Sequence, residues 1–204
     1  MNDVDKPGLG RGEMVAEVLS ACFRANDGEF GLAAKTSMFA GSFPLGGRLW
    51  SCAVVHAPDS VLAAEAAAAL MGLCLAPPWA EVHLCLSDAR LADLFLTDEP
   101  LDRFGAPEGM RRIFRRLSEE RRVVLDVTGD RETPETERLA KVARSTGTRG
   151  AAMGWLELSE RLDSECGQGS DWFSPPSALR VRAKPRRPRG IGGSSPIPSL
   201  PGRR

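Results

Sequence analysis

Residues 81–91, EVHLCLSDARL, contain the pattern that decides the fold. The first seven residues are mostly apolar and predict a short buried strand. Asp88 follows that strand directly, and the apolar spacing from Leu91 to Leu96 predicts a helix. Asp is a favoured residue at a helix N-cap, so Asp88 is placed to begin that helix. The stretch therefore predicts a strand that turns at an acidic residue into a helix.

Upstream, the chain predicts another strand and helix. Residues 48–57, RLWSCAVVHA, are rich in β-formers and predict a strand. Asp59 or Ser60 then caps a helix over 60–76, which Pro77 and Pro78 end. Four consecutive alanines at 66–69 would let this helix lie close to a sheet.

The first fifty residues are less uniform. Residues 13–26 have apolar side chains at helical spacing, but the same stretch is also compatible with a strand. Residues 30–40 predict extended chain, and Pro44, Gly46 and Gly47 predict a turn. Three strands could therefore precede the helix over 60–76.

Downstream, the same alternation continues. A helix is predicted over 107–120, a strand over 122–128 and a final helix over 134–146, with Thr133 as its cap. Strands that alternate with helices indicate an α/β class, here a mixed sheet with helices covering it.

Charge divides the chain into an acidic body and a basic tail. Eight of the 27 basic groups and none of the 27 acidic groups lie in 178–204, which leaves residues 1–177 with a net charge of −8. The expected organisation is a flexible N-terminus over 1–12, a main domain over 13–150 and a short helical extension over 151–163. A disordered basic tail rich in Pro, Gly and Ser is expected over 164–204.

The five cysteines form no CxxC pair, so a zinc site is not expected. Their odd number and apolar surroundings fit reduced thiols in a cytoplasmic protein. No apolar run reaches the roughly 18 residues of a membrane span, so no membrane partner is expected.

Three segments, in order, resemble type 1 ribonuclease H. The first is Ala64-Glu65 with the small and apolar residues after it, and the second is EVHLCLSDARL with Asp88. The third is residues 123–145, VVLDVTGDRETPETERLAKVARS, where Gly129 and Pro134 stand at family positions. The resemblance covers about half of the chain and implies a ribonuclease H-like fold, in which the Asp88 strand runs beside the first strand and parallel to it.

The resemblance also implies a chemistry. The family hydrolyses the RNA strand of an RNA–DNA hybrid, using two divalent metal ions held by several carboxylates. Mg²⁺ or Mn²⁺ would be the cofactor and nucleic acid the partner, with Glu65 and Asp88 among the ligands.

The remaining family positions are less well matched. Either Asp27, 38 residues before Glu65, or Lys35 stands where the family has its first-strand acid. Asp130 stands where the family has a loop histidine and is also a candidate catalytic residue, although it could be an ordinary loop residue. The acid of the closing helix aligns with Ala140, one turn after Glu137.

Two functions therefore remain open. The first is a metal-dependent endonuclease with Asp27, Glu65 and Asp88 as metal ligands. The second is a degenerate, non-catalytic ribonuclease H-like domain that binds nucleic acid or protein. In the second case Glu65 would be a solvated helix residue and Asp88 a helix cap.

Overall fold

The computed structural model describes residues 14–26, 28–56, 60–107, 109–127 and 133–165. They form one six-stranded sheet with helices on both faces. The strands are β1 (Met14–Asn26), β2 (Glu29–Ala40), β3 (Phe43–His56), β4 (Glu81–Leu86), β5 (Val123–Val127) and β6 (Met153–Gly154). The helices are α1 (Val61–Leu75), α2 (Ala89–Leu96), α3 (Met110–Glu120), α4 (Pro134–Gly147) and α5 (Trp155–Glu165), with a 3-10 turn at Leu101–Phe104.

The strand order in the sheet is β5-β4-β1-β2-β3-β6. The first three strands form an antiparallel meander, while β4 pairs with β1 in parallel and β5 pairs with β4 in parallel. The predicted α/β class with a mixed sheet is confirmed. So is the expectation that the strand before Asp88 lies parallel to the first strand, in the same sheet as β3.

Close contacts at glycine place α1 and α4 on opposite faces of the sheet. A Cβ on Gly72 of α1 would lie 2.4 Å from a Val18 methyl, and the Thr36 hydroxyl donates to the Gly72 carbonyl at 2.9 Å. On the other face, a Cβ on Gly31 would lie 2.1 Å from the carbonyl oxygen of Ala143 in α4. Since side chains alternate along a strand, the odd-numbered Gly31 and the even-numbered Thr36 of β2 face opposite ways.

One of the alternatives left open was correct and one local prediction was wrong. Residues 14–26 form a strand, because the sheet buries Ala16 and Val18 on one side at a period of two. The turn between β2 and β3 lies at residues 41–42, so the turn predicted at Pro44, Gly46 and Gly47 was wrong. The pairing of β2 with β3 shifts register between Ser37 and Met38, so Gly46 and Gly47 lie in an irregularity of β3, where glycine is common.

The helical extension is packed on the main body. Trp155, Leu158 and Leu162 of α5 are buried in the same apolar core as α1 and α3. The basic tail that was predicted over 164–204 lies, from residue 166 onward, outside the described residues. Within the described part of the chain, no helix is both long and apolar enough to cross a membrane.

Candidate functional site

The ends of β1 and β4 and the first turns of α1 meet at one edge of the sheet. Glu65 of α1 accepts a short hydrogen bond from the Ser87 hydroxyl, at the end of β4. Asp88 follows immediately and caps α2, where its carboxylate accepts from the Arg90 amide at 2.9 Å. The structure therefore brings Glu65 and the Asp88 segment together, as the sequence predicted.

The first-strand residue beside Glu65 is Cys22, which the sequence did not single out. Its thiol donates to the Val61 carbonyl at 3.6 Å, and burial, together with the Glu65 charge, raises its pKa to about 12. The parallel register pairs Leu19 with Cys85, and the same offset continued by three residues would place Cys22 level with Asp88. The thiol is thus neutral at physiological pH.

Lys35 does not occupy the first-strand position. It lies on β2, is buried, and forms an ion pair at 2.7 Å with Glu135 in the first turn of α4. Its pairing partner in β1 is Leu19, which packs toward α4, so Lys35 faces away from Glu65. The alternative register with Lys35 beside the acids is therefore wrong.

Asp27 and Asp130, the other two predicted site residues, lie outside the described residues. Asp27 follows Asn26, the last residue of β1, in the sequence. The roles proposed for these two acids stay predictions.

Asp88 already has a cationic partner. Both the Arg90 amide and the Arg90 guanidinium donate to its carboxylate, with a distance of 2.9 Å from Nε. These hydrogen bonds, led by the side-chain contact, hold the pKa of Asp88 below its ordinary value. The helix-cap role that Asp88 was expected to play is present, and its charge is balanced by Arg90.

The closing helix adds no acid to this edge at the aligned position. Ala140 and Glu137 are both exposed on α4. In the part of the chain that the structure describes, no group of three or more His, Cys, Asp or Glu residues is arranged to hold a metal ion.

These donors do not fit a magnesium site. Mg²⁺ prefers carboxylate and water oxygens in an octahedral arrangement. Of the residues that the structure describes, this edge offers Glu65, which accepts from Ser87, and Asp88, which is paired with Arg90. A neutral thiol is a poor ligand for so hard a cation. The described residues therefore do not complete a metal site that could carry out hydrolysis.

The comparisons with known proteins bear on the fold and not on the activity. No protein-family model matches the chain, and no curated protein gives a significant match. Among solved structures it is similar to the N-terminal RNase H domain of a Mycobacterium tuberculosis protein, solved as a fusion with maltose-binding protein. That match has 16% identity and a TM-score of 0.46, over 68% of this chain and 98% of that one.

It is also similar to the foamy virus protease-reverse transcriptase, solved with double-stranded DNA. The identity is 13% and the TM-score 0.42, over 67% of this chain and 94% of that one. With TM-scores below 0.5, nothing about activity follows from these matches. The parallel pairing of β1 with β4 is the one expected from the resemblance, and the chain has a ribonuclease H-like fold.

Proposed function

We propose that this chain is a non-catalytic ribonuclease H-like domain that binds nucleic acid without cutting it. The observation that carries this proposal is the neutral Cys22 thiol beside Glu65, where two-metal hydrolysis would need a carboxylate. The Arg90 guanidinium on Asp88 supports it, because a metal ion would have to displace that partner.

Binding is supported by the distribution of positive charge. Eight Lys and Arg residues without any acidic residue lie in 178–204, and α3 carries four arginines. Lys and Arg that neutralise phosphates release counterions from nucleic acid, which supplies affinity without any base contact. Residues 178–204 contain no aromatic residue for base stacking, so backbone contacts are expected to dominate there.

The metal-dependent endonuclease expected from the resemblance is therefore the less favoured function. It would need a further acid from a segment outside the described residues, such as Asp27, to join Glu65 and Asp88. It would also need Arg90 to release Asp88.

The test uses the full chain with a fluorescently labelled RNA–DNA hybrid. Anisotropy should show binding that weakens steeply with added KCl, both with and without Mg²⁺ or Mn²⁺. Gel analysis of the same samples should show intact RNA. Deleting 178–204 should flatten the salt dependence and leave the thermal midpoint nearly unchanged.

Either half of the proposal can fail separately. Metal-dependent cleavage that Asp88→Asn abolishes would restore the endonuclease. Absence of binding to hybrid, duplex and single strands at low salt would rule out nucleic acid as the partner and leave a protein partner as the alternative.

A further inference from the structure

β5 forms one edge of the sheet, and no other strand among the described residues pairs with its outer side. The Arg122 carbonyl, just before β5, accepts from the Val82 amide of β4 at 2.8 Å. Because backbone groups alternate in direction along a strand, the N–H and C=O groups of Val123, Leu125 and Val127 face outward. Pro, Lys and bulges commonly keep edge strands from pairing, and β5 has none of them. This edge can therefore accept a further strand.

A chain of polar contacts runs from one end of β5 to the other by way of β4. Arg122 pairs with Glu81 at 2.9 Å, and the same carboxylate lies 3.0 Å from Nε2 of His83. The Nδ1 atom of His83 lies 3.2 Å from Asp126. Both ends of the chain lie toward solvent, since the Arg122 side chain is 74% exposed and that of Asp126 is 49% exposed. The edge thus presents a cation at one end and an anion at the other.

These two charges are placed symmetrically about Val124, each two residues from it. A two-fold axis at Val124 would pair two copies of β5 in antiparallel fashion, with Arg122 of each copy opposite Asp126 of the other. The outward groups of Val123 would then meet those of Leu125 in the second copy and form the backbone hydrogen bonds. Arg122 and Asp126 would stand in non-hydrogen-bonded pairs, where opposite side chains are closest.

The neighbouring antiparallel registers lack this match of charge. An axis at Val123 also brings outward groups together, but it places Asp126 opposite Glu120, another acidic residue. An axis at Leu125 places Asp126 opposite Val124, which carries no charge. Like charges directly opposite each other destabilise a strand pair, whereas opposite charges stabilise it. The sequence of the edge therefore favours the register centred on Val124.

We propose that the outer edge of β5 joins two copies of this chain into a symmetric dimer. The two six-stranded sheets become one continuous sheet, and the polar contacts of each copy close into a ring across the axis. Strand addition at an exposed sheet edge gains its affinity from main-chain hydrogen bonds. The occupant is a second copy because the edge is complementary to itself in both charge and backbone register, as a two-fold interface requires.

The experiment measures the association of the full chain by sedimentation velocity over a concentration series at low salt. The unmutated chain should form dimers as its concentration rises. Arg122→Asp creates two acid–acid pairs in the symmetric dimer and should raise the dimer Kd by roughly tenfold or more. Asp126→Arg creates two pairs of cations and should have a similar effect. In an equal mixture each variant supplies the charge that the other needs, so mixed dimers should form with nearly the unmutated affinity.

The matched controls make the same charge changes away from β5. Arg149→Asp and Glu160→Arg alter two exposed residues, and each variant should dimerise like the unmutated chain. Thermal midpoints show whether every variant is folded. If a charge reversal prevents folding, Arg122→Gln removes the cation without adding an acid, and it should raise the dimer Kd by a smaller factor than a folded reversal would.

Hydrogen exchange locates the interface. Amides in 123–127 should exchange more slowly as the concentration of the unmutated chain rises, but not in Arg122→Asp. A chain that stays monomeric at every concentration would overturn the proposal and leave the edge to a different protein. A dimer in which these amides are not protected would place the interface elsewhere. Folded single variants that do not associate in the mixture would overturn the register centred on Val124.

Discussion

The two faces of the sheet place an ionisable side chain in different surroundings. On the α1 face, Cys22 lies beside Glu65 and is held neutral by burial and by that charge. On the α4 face, Lys35 is buried and pairs with Glu135 at 2.7 Å. The α4 face therefore uses an ion pair to fix a helix, while the described residues of the α1 face include no further acid beside Glu65 that would complete a metal site. The Lys35–Glu135 pair is therefore structural.

The ion pair should give the largest effect on stability. Glu135→Ala leaves Lys35 buried without its acidic partner, which should lower the free energy of unfolding by about 2 to 3 kcal/mol. Lys35→Met keeps the length and removes the charge, and should cost less than about 1 kcal/mol. Urea denaturation at neutral pH measures both.

Glu137→Ala is the control for that prediction. Glu137 lies in the same first turn of α4 and is exposed, so its removal should cost only about 0.5 kcal/mol through the helix dipole. Equal losses for the Glu135 and Glu137 variants would mean that the Lys35 contact contributes nothing.

A smaller loss is expected on the α1 face. Cys22→Asp places a second carboxylate beside Glu65 in a partly buried site, which should lower the free energy of unfolding by about 2 kcal/mol at neutral pH. The loss should shrink as the pH falls and the carboxylates protonate. Cys22→Ser, which adds no charge, is the matched control.

A double-mutant cycle isolates the repulsion. In a Glu65→Gln background, Cys22→Asp should cost clearly less, because the neighbouring charge is gone. An unchanged cost in that background would show that Cys22 and Glu65 do not interact.

Periodicity and the order of the motifs predicted a mixed sheet with helices over 60–76 and 134–146, which the structure has at 61–75 and 134–147. They also placed Glu65 near the Asp88 segment. They could not identify Cys22. The facing residue of β1 depends on its parallel register with β4, and that pairing is set by packing between distant segments rather than by local periodicity. The apolar spacing in 14–26 could not distinguish helix from strand for the same reason. Burial of one side of β1 in the core decided for the strand.

The smallest effect is expected at Asp88. Its pKa is lowered in the folded protein, so its contact with Arg90 contributes stability above the ordinary carboxylate pKa. That contribution is lost as the pH falls through the lowered pKa. Asp88→Asn should therefore be slightly less stable than the unmutated chain at pH 7 and equal to it in acid. A difference that persists unchanged in acid would assign the effect to the helix cap alone.

The most direct measurement compares the thermal midpoints of the unmutated chain and of Cys22→Asp in millimolar Mn²⁺ and in its absence. The unmutated chain should show no shift, because the described residues of this edge do not supply the carboxylates that a hard cation needs. Cys22→Asp should gain several degrees, since a bound cation would relieve the repulsion from Glu65 by mass action. A clear Mn²⁺-dependent rise in the unmutated chain would contradict a non-catalytic domain and return Glu65 and Asp88 to the role of metal ligands.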